Sequence, residues 1–274
     1  MADFPLLGGM QALSAGFVLA TTTGTSITAS ASANTKGAYV ELISAANNDL
    51  DSNSIELVFD GLNSALGDFL VDISVGDAGF EEVVIHNVYV KTTSTPGALV
   101  SRVTLPISFQ SGVRISARCQ ANNSSLAINM FIILSAGNFK QPTGFSEAIA
   151  YGDDEATSTG TLVARSSVGV FGSWVEITAS TTDEIHAIAI ASHRQGGSWQ
   201  NGKYNYQVAV GSAGNEEVII SDILSATTAS ESGSGLLAGA YMVEVAIGQR
   251  LSIRAAASVA DADFDNDYVI YGIK

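Results

Sequence analysis

The sequence contains few of the residues that cross-link a chain or interrupt its strands. Proline occurs four times. Cysteine occurs once, as Cys119, so an internal disulfide is excluded. Cys119 lies in "RISARCQA", where polar and apolar residues alternate. This alternation places the thiol with the apolar side chains and predicts that it is buried as a small hydrophobic group. The fold must therefore be held together by a packed core.

Charged residues are also scarce, and most of them are acidic. They make up 14% of the chain, with 12 Lys and Arg against 27 Asp and Glu, a formal net charge of −15. Residues 9–143 hold 6 basic and 10 acidic residues (−4), and residues 144–274 hold 6 and 16 (−10). An acidic chain without a basic run is repelled by phosphate backbones and by anionic membranes. We expect neither nucleic acid nor a membrane as a partner.

Long apolar runs are absent as well. None reaches the about 18 residues that a membrane-spanning helix needs. The first segment, "MADFPLLGGMQALSAGFVLA", is apolar but has no basic region and carries Asp3, which argues against a signal peptide. These features predict a soluble protein made in a cytoplasm.

The sequence instead contains an internal repeat. "GAYVEL" at 37–42 returns as "GSWVEI" at 172–177, and "VGDAGFEEVVIHNV" at 75–88 returns as "VGSAGNEEVIISDI" at 210–223, both at an offset of 135 residues (172 − 37 and 210 − 75). "GVRISAR" at 112–118 matches "GQRLSIR" at 248–254, and "NMFIIL" at 129–134 is placed opposite "YVIYGI" at 268–273, an offset of 139. A period of this length suits a whole domain. We predict an N-terminal arm at 1–8, a first copy at 9–143 and a second copy at 144–274.

Each copy has the pattern of β-strands. Apolar and polar residues alternate in "FLVDISV" and "VRISARC", as they do in half-buried strands. Gly, Asn and Ser clusters interrupt these runs every eight to twelve residues or so, as in sandwiches and barrels. The predicted fold is all-β, with two tandem antiparallel β-sandwich domains that are jelly-roll-like. The repeated "AGxEEV" then marks a glycine turn and the start of a strand.

No catalytic constellation stands out. Both copies carry an acidic pair, Glu81–Glu82 and Glu216–Glu217, but strand neighbours point to opposite faces and cannot converge on one sugar as a glycosidase requires. A charged edge that deters strand pairing is the favoured interpretation. The sequence has no HExxH helix, no cysteine set for zinc and no GxSxG elbow. We predict a non-enzymatic protein without a cofactor.

Four arginines recur at matched positions and share a strand face: Arg114, Arg118, Arg250 and Arg254. They predict either an ionic ladder with the repeated Glu41 and Glu176 or a contact face for a neighbouring subunit. The three histidines do not recur between the copies, which favours ordinary surface or half-buried positions. They are His86, His186 and His193.

Two features of the second copy are candidate ligand sites. "DADFDND" at 261–267 offers the oxygen ligands of Asp261, Asp263, Asp265 and Asp267 for calcium, but it lacks the glycine and glutamate of an EF-hand, so a solvated acidic hairpin is the alternative. Trp199 is the aromatic residue free to contact a glycan, since Tyr204, Tyr206 and Trp174 align with residues of the predicted core.

The paired "GAYVEL"/"GSWVEI" and "VGDAGFEEVVI"/"VGSAGNEEVII" segments, in an acidic chain rich in Ala, Ser, Thr and Gly, resemble accessory virion proteins of tailed bacteriophages. These include capsid decoration proteins, head fibres and tail components. The resemblance implies a non-enzymatic structural part of the virion that forms a homo-oligomer on phage capsid or tail proteins. The arm could anchor it through Phe4, Leu6 and Leu7. Alternatives are a module that binds a host-surface glycan and, ranked last, a polysaccharide-degrading spike.

Overall fold

The computed structural model describes residues 11–18, 23–60, 67–92, 101–136, 145–194, 202–227, 236–259 and 265–274. This part of the chain forms nineteen strands and a short 3-10 helix at Ala45–Asn47. The all-β prediction is confirmed. The predicted arm and the predicted boundary between the copies lie outside the described residues and stay predictions.

The first copy is a sandwich of two sheets. Sheet 1a has the order β2-β3-β10-β5-β8, with β1 also paired to β10, and sheet 1b has the order β7-β6-β9-β4. Its strands are β1 Gln11–Ala15, β2 Phe17–Val18, β3 Thr23–Thr28, β4 Val40–Ile43, β5 Ser54–Asp60, β6 Gly67–Val75, β7 Glu82–Thr92, β8 Ser101–Leu105, β9 Ile115–Ala121 and β10 Ala127–Ala136.

The second copy repeats this plan with nine strands, and an isolated bridge between Asp154 and Thr159 takes the place of the β2–β3 pairing. In sheet 2a, β19 pairs with β11, β12 and β14, and β14 pairs with β17; sheet 2b has the order β13-β18-β15-β16. Its strands are β11 Ala148–Tyr151, β12 Thr161–Val163, β13 Val175–Thr178, β14 Ile185–Arg194, β15 Gly202–Val210, β16 Glu217–Thr227, β17 Leu236–Val245, β18 Leu251–Ala257 and β19 Asn266–Ile273. Both copies thus have the jelly-roll strand order, and within each copy every pairing is antiparallel.

The structure corrects one predicted alignment. Gly24 packs against the backbone of Met130, and Gly160 packs in the same way against Tyr268, so the last strands match at an offset of 138 (268 − 130) and not 139. A shift of one residue exchanges the two faces of a strand. The core residue Ile132 therefore corresponds to Ile270, which faces the core of the second copy.

The two sandwiches are joined through one strand pair. β11 of sheet 2a lies parallel to β7 of sheet 1b, with Ala148 opposite Ile85. Sheets 1b and 2a thereby form one nine-stranded sheet. The two copies predicted from the sequence are therefore joined by backbone hydrogen bonds between β7 and β11.

The central strand β14 of sheet 2a is buried on both faces at residues 187–193. Ile188 and Ile190 of β14 belong to the core of the second copy. Ala187, Ala189 and Ala191, on the other face of the same strand, belong to the core of the first copy. The small alanine side chains allow the first copy to approach sheet 2a closely, so the larger core contains residues of both copies.

Candidate functional site

The repeated acidic pair belongs to a turn that has the same contacts in both copies. Nε of Arg114 donates to Glu41 at 2.9 Å, and Nη1 donates to Glu81 at 3.1 Å and to the carbonyl oxygen of Gly76 at 3.2 Å. Glu81 also accepts a hydrogen bond from the amide of Gly79 at 2.8 Å. Burial acts to raise the pKa of Glu81, but the amide and Arg114 outweigh it and lower this pKa.

In the second copy Arg250 makes the equivalent contacts with Glu176 at 2.7 Å and with Glu216 at 3.2 Å. Amide donation and Arg250 again outweigh burial and lower the pKa of Glu216. The first glutamate of each pair therefore stabilises its turn through these hydrogen bonds. For Arg114 and Arg250, these contacts match the predicted ionic ladder with Glu41 and Glu176.

The other two repeated arginines lie over aromatic rings on the outer faces of sheets 1b and 2b. The guanidinium of Arg118 lies 4.6 Å from the ring centre of Tyr39, and that of Arg254 lies 4.4 Å from Trp174 and 4.9 Å from Phe171. Trp174 is half-buried, so its prediction as a core residue is wrong. The cation–π contact helps to hold each arginine against its sheet.

The contact between the copies contains buried polar groups. The hydroxyl of Tyr271 accepts a hydrogen bond from the amide of Tyr89 at 2.7 Å and donates to the carbonyl oxygen of Asn87 at 3.3 Å. His193 Nε2 lies 3.0 Å from the carbonyl oxygen of Tyr89, and the two rings meet edge to face. Backbone amide and carbonyl groups of β7 that a lone first copy would leave without these partners are thus hydrogen-bonded by the second copy.

Burial changes the titration of two groups at this contact. It lowers the pKa of His193 to about 4 and raises the pKa of Asp267 to about 6. The two residues are cross-strand partners between β14 and β19, and each is 1% exposed. Groups this deeply buried cannot contact a substrate, and their role is structural.

A loop of the second copy covers part of the outer face of sheet 1b. The side-chain amide of Asn87 donates to Asp153 at 2.6 Å and to Glu155 at 2.9 Å. Gln120 donates to the carbonyl oxygen of Glu155 at 2.8 Å and to the hydroxyl of Ser158 at 3.0 Å. Ser158 is fully buried by this docking. We call residues 153–158 the covering loop.

On the equivalent face of sheet 2b, no loop among the described residues docks in this way. This face carries a cleft of about 210 Å³ lined by Phe171, Tyr204, Asn205, Ala256 and neighbouring residues. Arg254 lies over the rings of Phe171 and Trp174 beside it. This cleft is the candidate functional site, because it combines aromatic surface with polar groups on an uncovered sheet face.

The remaining predicted site residues are partly outside the described residues, among them Phe4, Leu6, Leu7, Trp199, Asp261 and Asp263. Asp265 accepts a hydrogen bond from the amide of Arg165 at 3.2 Å, while Asp267 lies in the contact between the copies. The described residues contain no group of three or more His, Cys, Asp or Glu placed to hold a metal ion. Calcium binding and the partner contacts of these residues stay predictions.

Several core predictions are confirmed, and one histidine was misjudged. Cys119, Tyr204 and Tyr206 are buried, with exposures of 0%, 2% and 0%, and burial raises the pKa of the Cys119 thiol to about 12. His193, predicted to be an ordinary histidine, is buried between the copies. The signal that could have located this contact is the run "AIAIA" at 187–191, which is apolar on both faces of its strand.

Comparisons with known proteins assign no family. No family model matches the chain, and no curated protein sequence matches it. One similar solved structure is the N-terminal CBM22-1–CBM22-2 tandem domain of Paenibacillus barcinonensis Xyn10C, at 13% identity over 97% of this chain and 90% of that one, with a TM-score of 0.28. Another is infectious bursal disease virus Gx strain, at 9% identity over 97% and 72%, with a TM-score of 0.26. Within the described residues, no helix has the length and apolar character to cross a membrane.

Proposed function

We propose that the chain is a non-enzymatic structural protein of a bacteriophage virion, assembled on the head or the tail. The observation that carries the proposal is the fusion of two jelly rolls into one body by a strand pair and a shared core. Such a connection resists movement between the modules, which suits a part that must keep a fixed shape in an assembly.

The polar chemistry of the repeated residues also supports a structural role. The carboxylates of Glu41, Glu81, Glu176 and Glu216 are in ion pairs with arginine. The surface has few trypsin sites, since the whole chain contains 12 Lys and Arg. Both features favour a protein that survives outside a cell without disulfides.

Mass spectrometry of purified phage particles tests this proposal. The chain is expected in particles at a fixed ratio to the major capsid or tail protein, and its absence from particles of a phage that encodes it would refute the proposal. Deletion of residues 2–8 tests the predicted anchoring arm separately. We expect the truncated chain to remain folded and to leave the particles.

A second candidate function is glycan binding at the cleft of the second copy. The half-buried rings of Phe171 and Trp174 lie beside Arg254 on an open sheet face, and stacking rings beside polar groups suit a sugar. A glycan array with wild type, Phe171→Ala and Trp199→Ala tests it. Phe80→Ala is the matched control, because Phe80 is 85% exposed and lies in the first copy.

A further inference from the structure

The chain contains the same sheet edges twice, and within the described residues they are paired with each other once. The outer edge of β7 meets β11 of the second copy, with Ile85 opposite Ala148. The strands equivalent to these are β16 and β1, at offsets of 135 and 136. In the described residues, β16 pairs with β15 alone and β1 pairs with β10 alone. Among the described residues, an unpaired copy of each half of the internal contact therefore remains.

The side chains along these edges show what the internal contact covers. Ala148 is fully buried, whereas the equivalent Ala12 is exposed. Val83 of β7 is half-buried, whereas the equivalent Val218 of β16 is 40% exposed. Exposed strand edges with apolar side chains are templates for pairing with another chain.

The first two residues of the covering loop have equivalents in the first copy, residues 17 and 18. Gly16 and Gly152 have φ values of 82° and 83°, and each accepts a hydrogen bond at its carbonyl oxygen from the hydroxyl of a matched threonine, Thr25 or Thr161, at 2.7 and 2.8 Å. The polar Asp153 and Asp154 therefore correspond to Phe17 and Val18. These two are 44% and 39% exposed.

The outer faces of sheets 1b and 2b also differ, and again the residues of the internal contact are the more polar ones. The face of sheet 1b that accepts the covering loop carries Asn34, Lys36 and Gln120, and the matched positions beside the open cleft are Gly169, Phe171 and Ala256. Val168 and Val170 next to this cleft are 51% and 50% exposed. Inside the chain a polar loop meets a polar face, whereas the matched tip carries Phe17 and Val18 and the matched face carries Phe171 and Ala256.

We propose that copies of this chain associate end to end by repeating the β7–β11 strand pairing between β16 of one copy and β1 of the next. The donor surface is the edge of β1 with Phe17 and Val18, and the acceptor surface is the edge of β16 with the cleft at Phe171 and Ala256. Ala12 of one chain lies opposite Ile220 of the next, and Phe17 and Val18 lie over the outer face of sheet 2b beside the cleft. The contact joins two different surfaces, so it generates a ring or an open filament. This association deepens the proposed function and rests on it for its setting in a virion.

Sedimentation velocity of the purified full chain over a concentration series tests the association. We expect wild type to form dimers and larger species. Phe17→Asp on the donor surface and Phe171→Lys on the acceptor surface, which restores the residue of the first copy, should each weaken self-association by about tenfold or more. Phe80→Asp is the matched control and should associate like wild type. Circular dichroism verifies that each variant is folded.

Mixing the two blocked variants distinguishes this contact from a symmetric one. Phe17→Asp retains an acceptor surface and Phe171→Lys retains a donor surface, so an equimolar mixture should form a dimer and no larger species. A wild-type chain that stays monomeric, unaffected association of Phe17→Asp, or a mixture that stays monomeric would each overturn the proposal, as would glycan binding at the cleft by a monomeric chain. A chain that associates as described but is absent from particles would refute the virion function and leave this inference standing.

Discussion

At the scale of single residues, what covers a position distinguishes the two copies. Arg114 and Arg250 hold equivalent turns through the same contacts. Lys36 and Phe171 are also equivalent, but the first donates to Asp72 beneath the covering loop and the second lines an open cleft. Burial lowers the pKa of Lys36, and the charge of Asp72 acts against it. The matched residues of the turn therefore keep their chemistry, whereas the position beneath the covering loop differs between the copies.

Tyr271 provides a residue-scale test of the contact between the copies. Tyr271→Phe removes the acceptor for the amide of Tyr89, which becomes a buried donor without a partner. We expect a loss of about 1 to 3 kcal/mol in the free energy of unfolding. Tyr206→Phe is the matched control, because the hydroxyl of Tyr206 has no hydrogen-bonding partner among the described residues. Denaturant titration of both variants measures the difference, and equal losses would contradict the role given to Tyr271.

The pair of His193 and Asp267 predicts an unusual pH dependence. The stability from neutral His193 is present above its ordinary pKa of 6.5 and is lost as the pH falls toward about 4. The stability from protonated Asp267 is present below its ordinary pKa of 3.8 and is lost as the pH rises through about 6. Between pH 4 and 6 the pair holds one proton in the folded state and one in the unfolded state, so it contributes almost no slope.

Asp267→Asn removes this compensation. Relative to wild type, the variant should lose roughly 1 kcal/mol of stability for each pH unit between 6 and 4, because the unfolded state alone then gains a proton, at His193. Denaturant titrations at several pH values measure the difference, in which the other carboxylates cancel. A difference that does not change with pH would refute this assignment.

At the scale of elements, the repeated turn shows how short sequence signals fix local structure. Gly76 has a φ of 107°, and a Cβ atom there would lie 2.7 Å from the carbonyl oxygen of Phe80; Gly211 has a φ of 105° and the same separation from Asn215. Gly79 has a φ of 88° but open space around it. Gly76 is therefore favoured both by its positive φ and by the lack of space for a Cβ atom, whereas Gly79 is favoured by its positive φ alone.

Alanine substitutions separate these two demands. Gly79→Ala should cost about 1 kcal/mol from the positive φ alone. Gly76→Ala should cost about 2 to 3 kcal/mol, since the backbone must also move away from Phe80. Thermal and denaturant unfolding measure both. Equal losses for the two variants would show that the close contact is not important.

The elements that could be predicted from the sequence are those set by local pattern. Alternation of apolar residues locates strands such as β6 and β9, and glycine turns such as 76–81 end them. The repeat then predicts two sandwiches. Neither signal reports which strand edges meet, because backbone hydrogen bonds carry no sequence pattern of their own. The pairing of β7 with β11, and with it the location of the open cleft, could not be predicted in this way.

At the scale of the whole molecule, the shared core decides how the chain unfolds. Residues of sheet 2a, such as Ala189 and Val269, belong to the same core as Leu57 of the first copy. A lone first copy would expose β7 and lose this cover. The two copies therefore stabilise each other and should behave as one cooperative unit.

The distribution of tryptophan makes this cooperativity measurable. Both tryptophans, Trp174 and Trp199, lie in the second copy, so fluorescence reports that copy, whereas far-ultraviolet circular dichroism reports both. Leu57→Ala, at a fully buried position of the first copy, should cost about 2 to 5 kcal/mol. We expect the fluorescence and circular dichroism midpoints to shift together, because unfolding of the first copy uncovers sheet 2a. A fluorescence midpoint that stays at the wild-type value would show that the copies unfold separately.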